Sequence, residues 1–214
     1  MAASVICLSY ARGSGGDDIG RGLAERLGYR YADEDIVRRV AEREGVPVDV
    51  VADAEQRKSF VRRISTGMAA GGIMGGLSFG PVATPASGEE PPAQEQYYRE
   101  LIIEVIREVA DQGQAVIVSH AASMALARQP GTLRVLVTAS PQVRASRLAA
   151  DLGLDAKAGE KAVKESDAAR ADYFKRFYQV DQELPTHYDL VINTDALTPG
   201  QAAEMILAAA QPPA

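Results

Sequence analysis

An α/β fold, a parallel sheet covered by helices on both faces, is predicted by three features of this sequence. Short apolar runs rich in β-branched residues, "SVICLS", "QAVIVSH", "TLRVLVTAS" and "YDLVINTD", read as strands buried on both sides. Between them lie stretches whose apolar residues recur at helical spacing, so strand and helix alternate along the chain. A length of 214 residues, 46% of them hydrophobic and 24% charged, is enough to bury one full core, which makes residues 1–214 a single globular unit.

Each element has a local reason. "SVICLS" ends in a glycine cluster, and "DDIGRGLAERLG" follows with Ile19, Leu23 and Leu27 at helical spacing: strand, Gly-rich turn, helix. "YRYADEDIVRRVAEREG" reads as a short strand that turns at Asp33 into a helix, adding a fifth strand at one edge. In "YYRELIIEVIREVADQG", Leu101, Val105, Ile106 and Val109 share a face before Gly113 ends the helix, and "QAVIVSH" is the strand beyond it. "TLRVLVTAS" runs through Pro141 into "PQVRASRLAADLG", and "YDLVINTD" through Pro199 into "GQAAEMILAAA", each proline at a first-turn position where its missing N–H costs nothing. After the break at Gly153, "KAGEKAVKESDAARADYFKRFYQVDQ" is one long charged helix. The core is therefore expected in residues 1–45, 95–151 and 181–214.

Residues 46–94 fall outside the alternation. They are expected to hold a polar helix, a Gly/Met-rich loop and the Pro/Glu-rich "ASGEEPPAQE". The uncharged stretch from Ile64 to Gly88 has small-xxx-small spacings such as Gly67/Gly71, which membrane helix pairs use, but its Ser, Thr, Pro and dense Gly make it a mobile loop rather than a spanning helix. Nothing in it requires a homo-oligomer, although an oligomer would use this insertion. The single cysteine, Cys7, reads as a small buried strand residue, and the run around it is too short for a signal-peptide core, so the expected location is the cytoplasm and no membrane partner is expected. A net charge of -6 and a pI near 5.1 argue against nucleic acid as a partner, whereas a few focused arginines still allow a small anionic ligand.

"RGSGGDDIG" is the stretch that carries chemistry. Glycines let a backbone wrap an anion, and successive N–H groups plus a helix N-terminus supply partial positive charge without a side chain. Arg12, Gly13, Ser14, Gly15 and Gly16 are thus the candidate phosphate cradle, with Arg12 as a substitute cation. Against the GxxxxGK[ST] spacing, Tyr10 stands for the first Gly and Gly16 for the Lys, and Asp18 is taken for the Ser or Thr. Only Gly15 of the anchors remains, and the same strand-turn-helix sequence also occurs where nothing binds.

"ARGSGGDDIGRGLAERLGYRYADEDIV" resembles the opening of the cytidylate kinase-like family, a branch of the nucleoside monophosphate kinases. The resemblance continues through "AVIVSHAASMALA", "LRVLVTASPQVRASRLA", "ESDAARADYFKRFY" and "YDLVINTDALT". It implies a P-loop fold with a parallel five-stranded sheet, residues 152–180 as a helical lid, ATP as phosphoryl donor with Mg2+, and a nucleoside monophosphate, CMP first, as acceptor. The family also lacks the usual P-loop lysine. Its lid arginines and D-x-x-R motif correspond to Arg144, Arg147, Asp167 and Arg170, which would offset developing charge, although Asp167 and Arg170 also read as a plain surface ion pair. Asp33, at the carboxyl edge of the sheet, corresponds to an acceptor contact, and otherwise begins an acidic helix start.

Two departures stand out. The family usually has an arginine where this chain has Asp17. Asp17 and Asp18 read either as caps that complement the helix dipole or, for Asp18, as a Mg2+ ligand in place of the motif's hydroxyl. Ser119 and His120 stand where the family generally has Gly-Arg, so His120 is either a substitute acceptor contact or a hydrogen-bonded histidine at a strand end. These departures leave a second function open: a non-catalytic nucleotide-sensing or partner-binding protein that keeps the fold.

Overall fold

The computed structural model describes residues 3–54 and 92–211. Five parallel strands form one sheet: β1 (Val5–Tyr10), β2 (Arg30–Ala32), β3 (Ala115–Val118), β4 (Thr132–Thr138) and β5 (Leu190–Asn193), in the order β2-β3-β1-β4-β5. The three-residue β2 is the edge strand expected from "YRYAD". Helices α1 (Gly16–Leu27), α2 (Glu34–Glu44), α3 (Val48–Ala54), α4 (Pro92–Gln112), α5 (Ala122–Ala125), α6 (Pro141–Leu152), α7 (Ala156–Tyr178) and α8 (Pro199–Ala210) connect and flank the strands. The Gly/Met-rich stretch from Ile64 to Gly88, with its expected loop, lies outside the described residues. Among the described residues no helix is long and apolar enough to cross a membrane.

Strand alternation sorts the apolar residues into two cores. Ile6, Leu8, Val116, Val118, Val135, Val137 and Ile192 point to one face, where Ile19 and Leu23 of α1 and Ala202, Ala203 and Ile206 of α8 cover them. Val5, Cys7, Ala115 and Ile117 point to the other, against Ile36, Val37 and Val40 of α2 and Ile102, Val105, Ile106 and Val109 of α4. Cys7 is fully buried, which pushes its thiol pKa up and leaves it inert. At roughly 25 cal/mol per Å² of buried apolar area, these two layers are the main stabilising term.

Close approaches fix how helices dock. Gly20 lets α1 lie on the sheet, since a Cβ there would fall 2.8 Å from a Val118 methyl. Gly159 does the same for α7 against α6, where a Cβ would be 2.5 Å from the Ala145 carbonyl oxygen. Ser140 caps α6, its hydroxyl accepting from the Val143 N–H at 3.5 Å, with Pro141 in the first turn as expected. Beside the sheet, Arg134 of β4 forks onto Asp189 at 2.6 and 3.0 Å and ties β4 to the start of β5. Hydrogen bonding from Arg134 holds the Asp189 carboxyl below its usual range despite partial burial.

Two outcomes follow. Gly159→Ala gains about 1 kcal/mol of helix propensity, but the overpacking costs about 1–3 kcal/mol, so a net loss in urea unfolding is expected. Because the folded-state pKa of Asp189 is depressed, its contribution is complete above the ordinary aspartate pKa and is lost as pH falls through the lowered value. Thermal unfolding of Asp189→Asn should therefore depend less on pH than wild type between about pH 5 and 2.

Candidate functional site

The loop between β1 and α1 needs glycine three times, each for a different physical reason. Gly15 has φ +82, a left-handed conformation, and a Cβ there would meet nothing closer than 3.9 Å. Its requirement is conformational, and the space before it is open. Gly13, with φ +84, abuts α6: a Cβ would lie 2.7 Å from the Arg144 carbonyl oxygen. Gly16 is excluded from being anything larger by Tyr10, whose Cγ would be 2.2 Å from an added Cβ. The residue in place of the motif's first glycine thus occupies the room that the motif's lysine would need.

The loop's hydrogen bonds give it a polarity. The Ser14 N–H donates to the Ala11 carbonyl, whereas among the described residues no acceptor takes the N–H groups of Gly13, Gly15 or Gly16. The carbonyls are all spoken for. Arg170 donates through Nη1 to the Tyr10 carbonyl at 3.3 Å, Arg144 to that of Arg12 at 3.5 Å, Arg147 to that of Gly13 at 3.5 Å, and the Thr194 hydroxyl to that of Ser14 at 2.8 Å. The Ser14 hydroxyl turns inward to the Val137 carbonyl at 3.2 Å, so Ser14 offers a ligand its backbone rather than its side chain.

Arg144, Arg147 and Asp167 with Arg170, on α6 and α7, divide by their other partners. Arg144 is buried, forks onto Asp167 at 2.8 and 2.7 Å and donates to the Ala139 carbonyl, which makes it an internal brace. Arg147 grips the Thr194 hydroxyl at 3.1 Å and its carbonyl at 2.7 Å, both uncharged partners. Arg170 forks onto Glu183 at 2.7 and 2.6 Å. The surface ion pair between Asp167 and Arg170 read from their spacing is not formed, because each is drawn to an opposite charge on another element: Asp167 to α6, Arg170 to the segment before β5.

A cleft of about 480 Å³ opens beside the loop, lined by Gly13 to Gly15, Asp18, Arg147 and Asp151, and closed by Thr194 to Pro199. That last wall was not singled out in the sequence, although "NTDALTP" directly after a buried strand is where an open parallel sheet places a ligand loop. Glu183 and Tyr188 carried no sequence signal, being single polar residues in an irregular segment.

The acidic pair at the helix start needs correction. Gly15 occupies the cap position of α1 without a side-chain bond, and Asp17 and Asp18 lie in the first turn. Counted strictly from Gly15, the motif's hydroxyl position falls on Asp17 rather than Asp18. Asp17 accepts from the hydroxyls of Tyr10 at 3.0 Å and Tyr31 at 3.5 Å, while Asp18 lines the cleft. Burial, followed by the charges of Asp33 and Asp17, raises the Tyr31 phenol, and Arg21 lies 4.6 Å over its ring. Burial lowers the Arg12 guanidinium pKa against the pull of Tyr10 and Asp17. Among the described residues no three His, Cys, Asp or Glu side chains converge as a preformed metal site.

At the far side of the sheet edge, Asp33 and His120 come together. His120 is buried, its Nε2 2.9 Å from the Asp33 carbonyl oxygen and 3.3 Å from Oδ1. Ser119, His120 and Ala121 all have positive φ, at 68, 53 and 48, which costs a non-glycine residue about 1–2 kcal/mol each. Strain of this kind persists where surrounding structure over-determines the backbone. Of the aromatic residues, Tyr173, Phe174, Phe177 and Tyr178 pack on one another near the end of α7.

The steric tie between Tyr10 and Gly16 predicts a coupled pair. Gly16→Ala should lower stability by about 1–3 kcal/mol, and in a Tyr10→Ala background the added loss should shrink. A double-mutant cycle by urea unfolding checks this, and additive losses would contradict the contact.

Comparison with known proteins agrees with this architecture. The profile of the cytidylate kinase-like family matches residues 5–196. A cytidylate kinase from Methanocorpusculum labreanum is 25% identical over 206 residues, spanning 95% of this chain and 94% of that one. An uncharacterized protein from Eubacterium ventriosum superposes with a TM-score of 0.66 at 16% identity, covering 96% of this chain and 97% of the other. A shikimate kinase from Bacteroides thetaiotaomicron shares the fold with a TM-score of 0.51 at 16% identity, covering 96% and 97%. With a P-loop kinase sheet, a glycine loop at its carboxyl edge and a family match over most of its length, the chain belongs to the cytidylate kinase-like family.

Proposed function

We propose that this protein transfers the terminal phosphoryl group of ATP to the phosphate of a nucleoside monophosphate. The observation that carries the reading is the loop at residues 10–16, whose N–H groups at Gly13, Gly15 and Gly16 have no acceptor among the described residues while its carbonyls are held by Arg144, Arg147, Arg170 and Thr194. Such a loop suits a polyphosphate. Family membership and the name of the Methanocorpusculum labreanum relative favour CMP as acceptor. A cytoplasmic site of action follows from ATP as donor.

In this reading the donor phosphates lie along the glycine loop and the rest of the nucleotide extends into the cleft beside Arg147 and Thr194 to Thr198. An ionised oxygen of the acceptor phosphate attacks the terminal phosphorus in line, the bridging P–O bond breaks, and ADP leaves with the electron pair. No side-chain base is required, because the attacking oxygen carries no proton. Arg147 and Arg170 offset charge on the transferring group. Arg144, with four of its five N–H donors given to Asp167 and backbone carbonyls, positions α6 against the loop instead. Asp33, held by His120, sits on the acceptor side. Asp18 is an exposed carboxylate on the cleft and suits Mg2+, which arrives with phosphate and water oxygens and needs only one or two protein carboxylates. When bound, that ion neutralises phosphate charge.

One observation favours a second reading. Tyr10 fills the place of a P-loop lysine and Asp17 puts a negative charge at the first turn, both of which weaken the hold on a triphosphate. A protein so altered would bind nucleotide and signal its presence without chemistry.

A coupled assay of ATP and Mg2+ with CMP, dCMP, UMP, AMP and GMP separates the two. Transfer is expected, fastest to a cytidine nucleotide. Arg170→Ala should lower kcat by about 10²–10³-fold while ATP affinity changes by less than about fivefold, as expected for contacts that strengthen in the transition state. Equal losses in both would assign Arg170 to ground-state binding. Binding without transfer to any monophosphate would establish the sensor.

A further inference from the structure

We propose that Glu183, in the segment between α7 and β5, is a positioning residue that aims Arg170 at the phosphate loop; this rests on the reading that Arg170 serves phosphoryl transfer.

Arg170 has five N–H donors. Nε and Nη2 each give one to Glu183, at 2.7 and 2.6 Å, and Nη1 gives one to the Tyr10 carbonyl at 3.3 Å. One N–H on Nη1 and one on Nη2 have no acceptor among the described residues, and the side chain is 25% exposed. Phe174 supports the guanidinium from below, with the carbon at its centre 4.8 Å from the ring centroid. The group is therefore fixed in plane and rotation by a carboxylate fork, a carbonyl and an aromatic face, yet it keeps two donors for a ligand oxygen.

Glu183 is itself held. The Tyr188 hydroxyl donates to its Oε1, and Tyr188 is buried at the entry to β5. Burial works against charge on both Arg170 and Glu183, but their mutual hydrogen bonds and attraction win, so Arg170 is raised and Glu183 lowered and both stay ionised. The contrast with Arg144 is informative. There the fork onto Asp167 accompanies burial to 5% exposure and bonds to two backbone carbonyls, leaving a brace with one spare donor. Two arginines in the same loop collar thus carry carboxylate partners with different consequences: Asp167 completes a structural joint, and Glu183 orients a group that still has bonds to give.

The test is a double-mutant cycle of Arg170→Ala and Glu183→Ala in the full chain, with Glu183→Gln and Tyr188→Phe alongside, reading kcat, KM for ATP and thermal unfolding. Glu183→Ala is expected to lower kcat by about 10- to 100-fold with KM little changed, as for a small misplacement of a reacting contact. In the Arg170→Ala background the same change should cost less than about twofold. Glu183→Gln keeps the shape and one acceptor, so it should lose less than Glu183→Ala and serves in the cycle if the alanine variant does not fold. Unchanged kcat in Glu183→Ala, or an equal loss with and without Arg170, overturns the proposal. If wild type transfers phosphate to no acceptor, the kinase reading falls, and the same cycle measured as tripolyphosphate affinity decides Glu183: coupled losses uphold its positioning role and additive ones refute it.

Discussion

A loop that turns its N–H groups toward an anion must turn its carbonyl oxygens away from it, because each peptide is planar and carries the two on opposite sides. Here those oxygens point into the protein, where water does not reach all of them and each needs a donor. Arg144 and Thr194 meet those of Arg12 and Ser14, whose peptides carry the N–H groups of Gly13 and Gly15, while Arg170 and Arg147 hold the neighbouring carbonyls of Tyr10 and Gly13. Much of the molecule's polar architecture follows from that need. Guanidinium groups drawn inward require counter-charges, which Asp167 and Glu183 supply, and those carboxylates fix α7 and the chain before β5. Thr194, at the end of β5, ties the last strand to the first loop.

The same economy accounts for the missing lysine. Three guanidinium groups behind the loop place positive charge within a few ångströms of it, without a side chain entering the cradle. Arg144 acts on the loop through the carbonyl it holds, whereas Arg147 lines the cleft and Arg170 keeps two N–H donors without an acceptor among the described residues. Tyr10 then takes the vacated room, its ring against Gly16 and its hydroxyl on Asp17. Asp17, read in isolation as a like charge against a phosphate, is in part an acceptor for two tyrosine hydroxyls and belongs to the joint between α1 and β2.

Strand runs, glycine turns and helix faces were legible in the sequence because each is a short-range pattern: "SVICLS" and "QAVIVSH" can be buried only in a sheet, and Pro141 and Pro199 mark helix starts wherever they occur. The glycine loop was legible as well, though not the reasons for its glycines. That Gly13 is demanded by the Arg144 backbone, and Gly16 by Tyr10, depends on contacts set by docking. The site side chains were found as residue types but not as partners. Spacing suggested Asp167 with Arg170, whereas both prefer charges brought near by tertiary structure. Thr194, Glu183 and the Asp33–His120 contact could not be read at all, since each joins residues far apart in sequence or lies in an irregular segment.

The carbonyl collar also bears on how the chain folds. The bonds that complete it join residues 132, 134, 160 and 180 positions apart. Contacts of such separation carry the largest loop-closure entropy and depend on the parallel sheet being already in register. The glycine loop therefore reaches its final form late, after β4 has paired with β1 and β5 with β4. During synthesis on a ribosome, a chain that has not yet released Thr194 has the first strand, the loop's glycines and at most three of the four donors that hold its carbonyls. Such a fragment would present a turn with an unmet carbonyl at Ser14, and the complete collar would mark a chain that has emerged at least as far as Thr194.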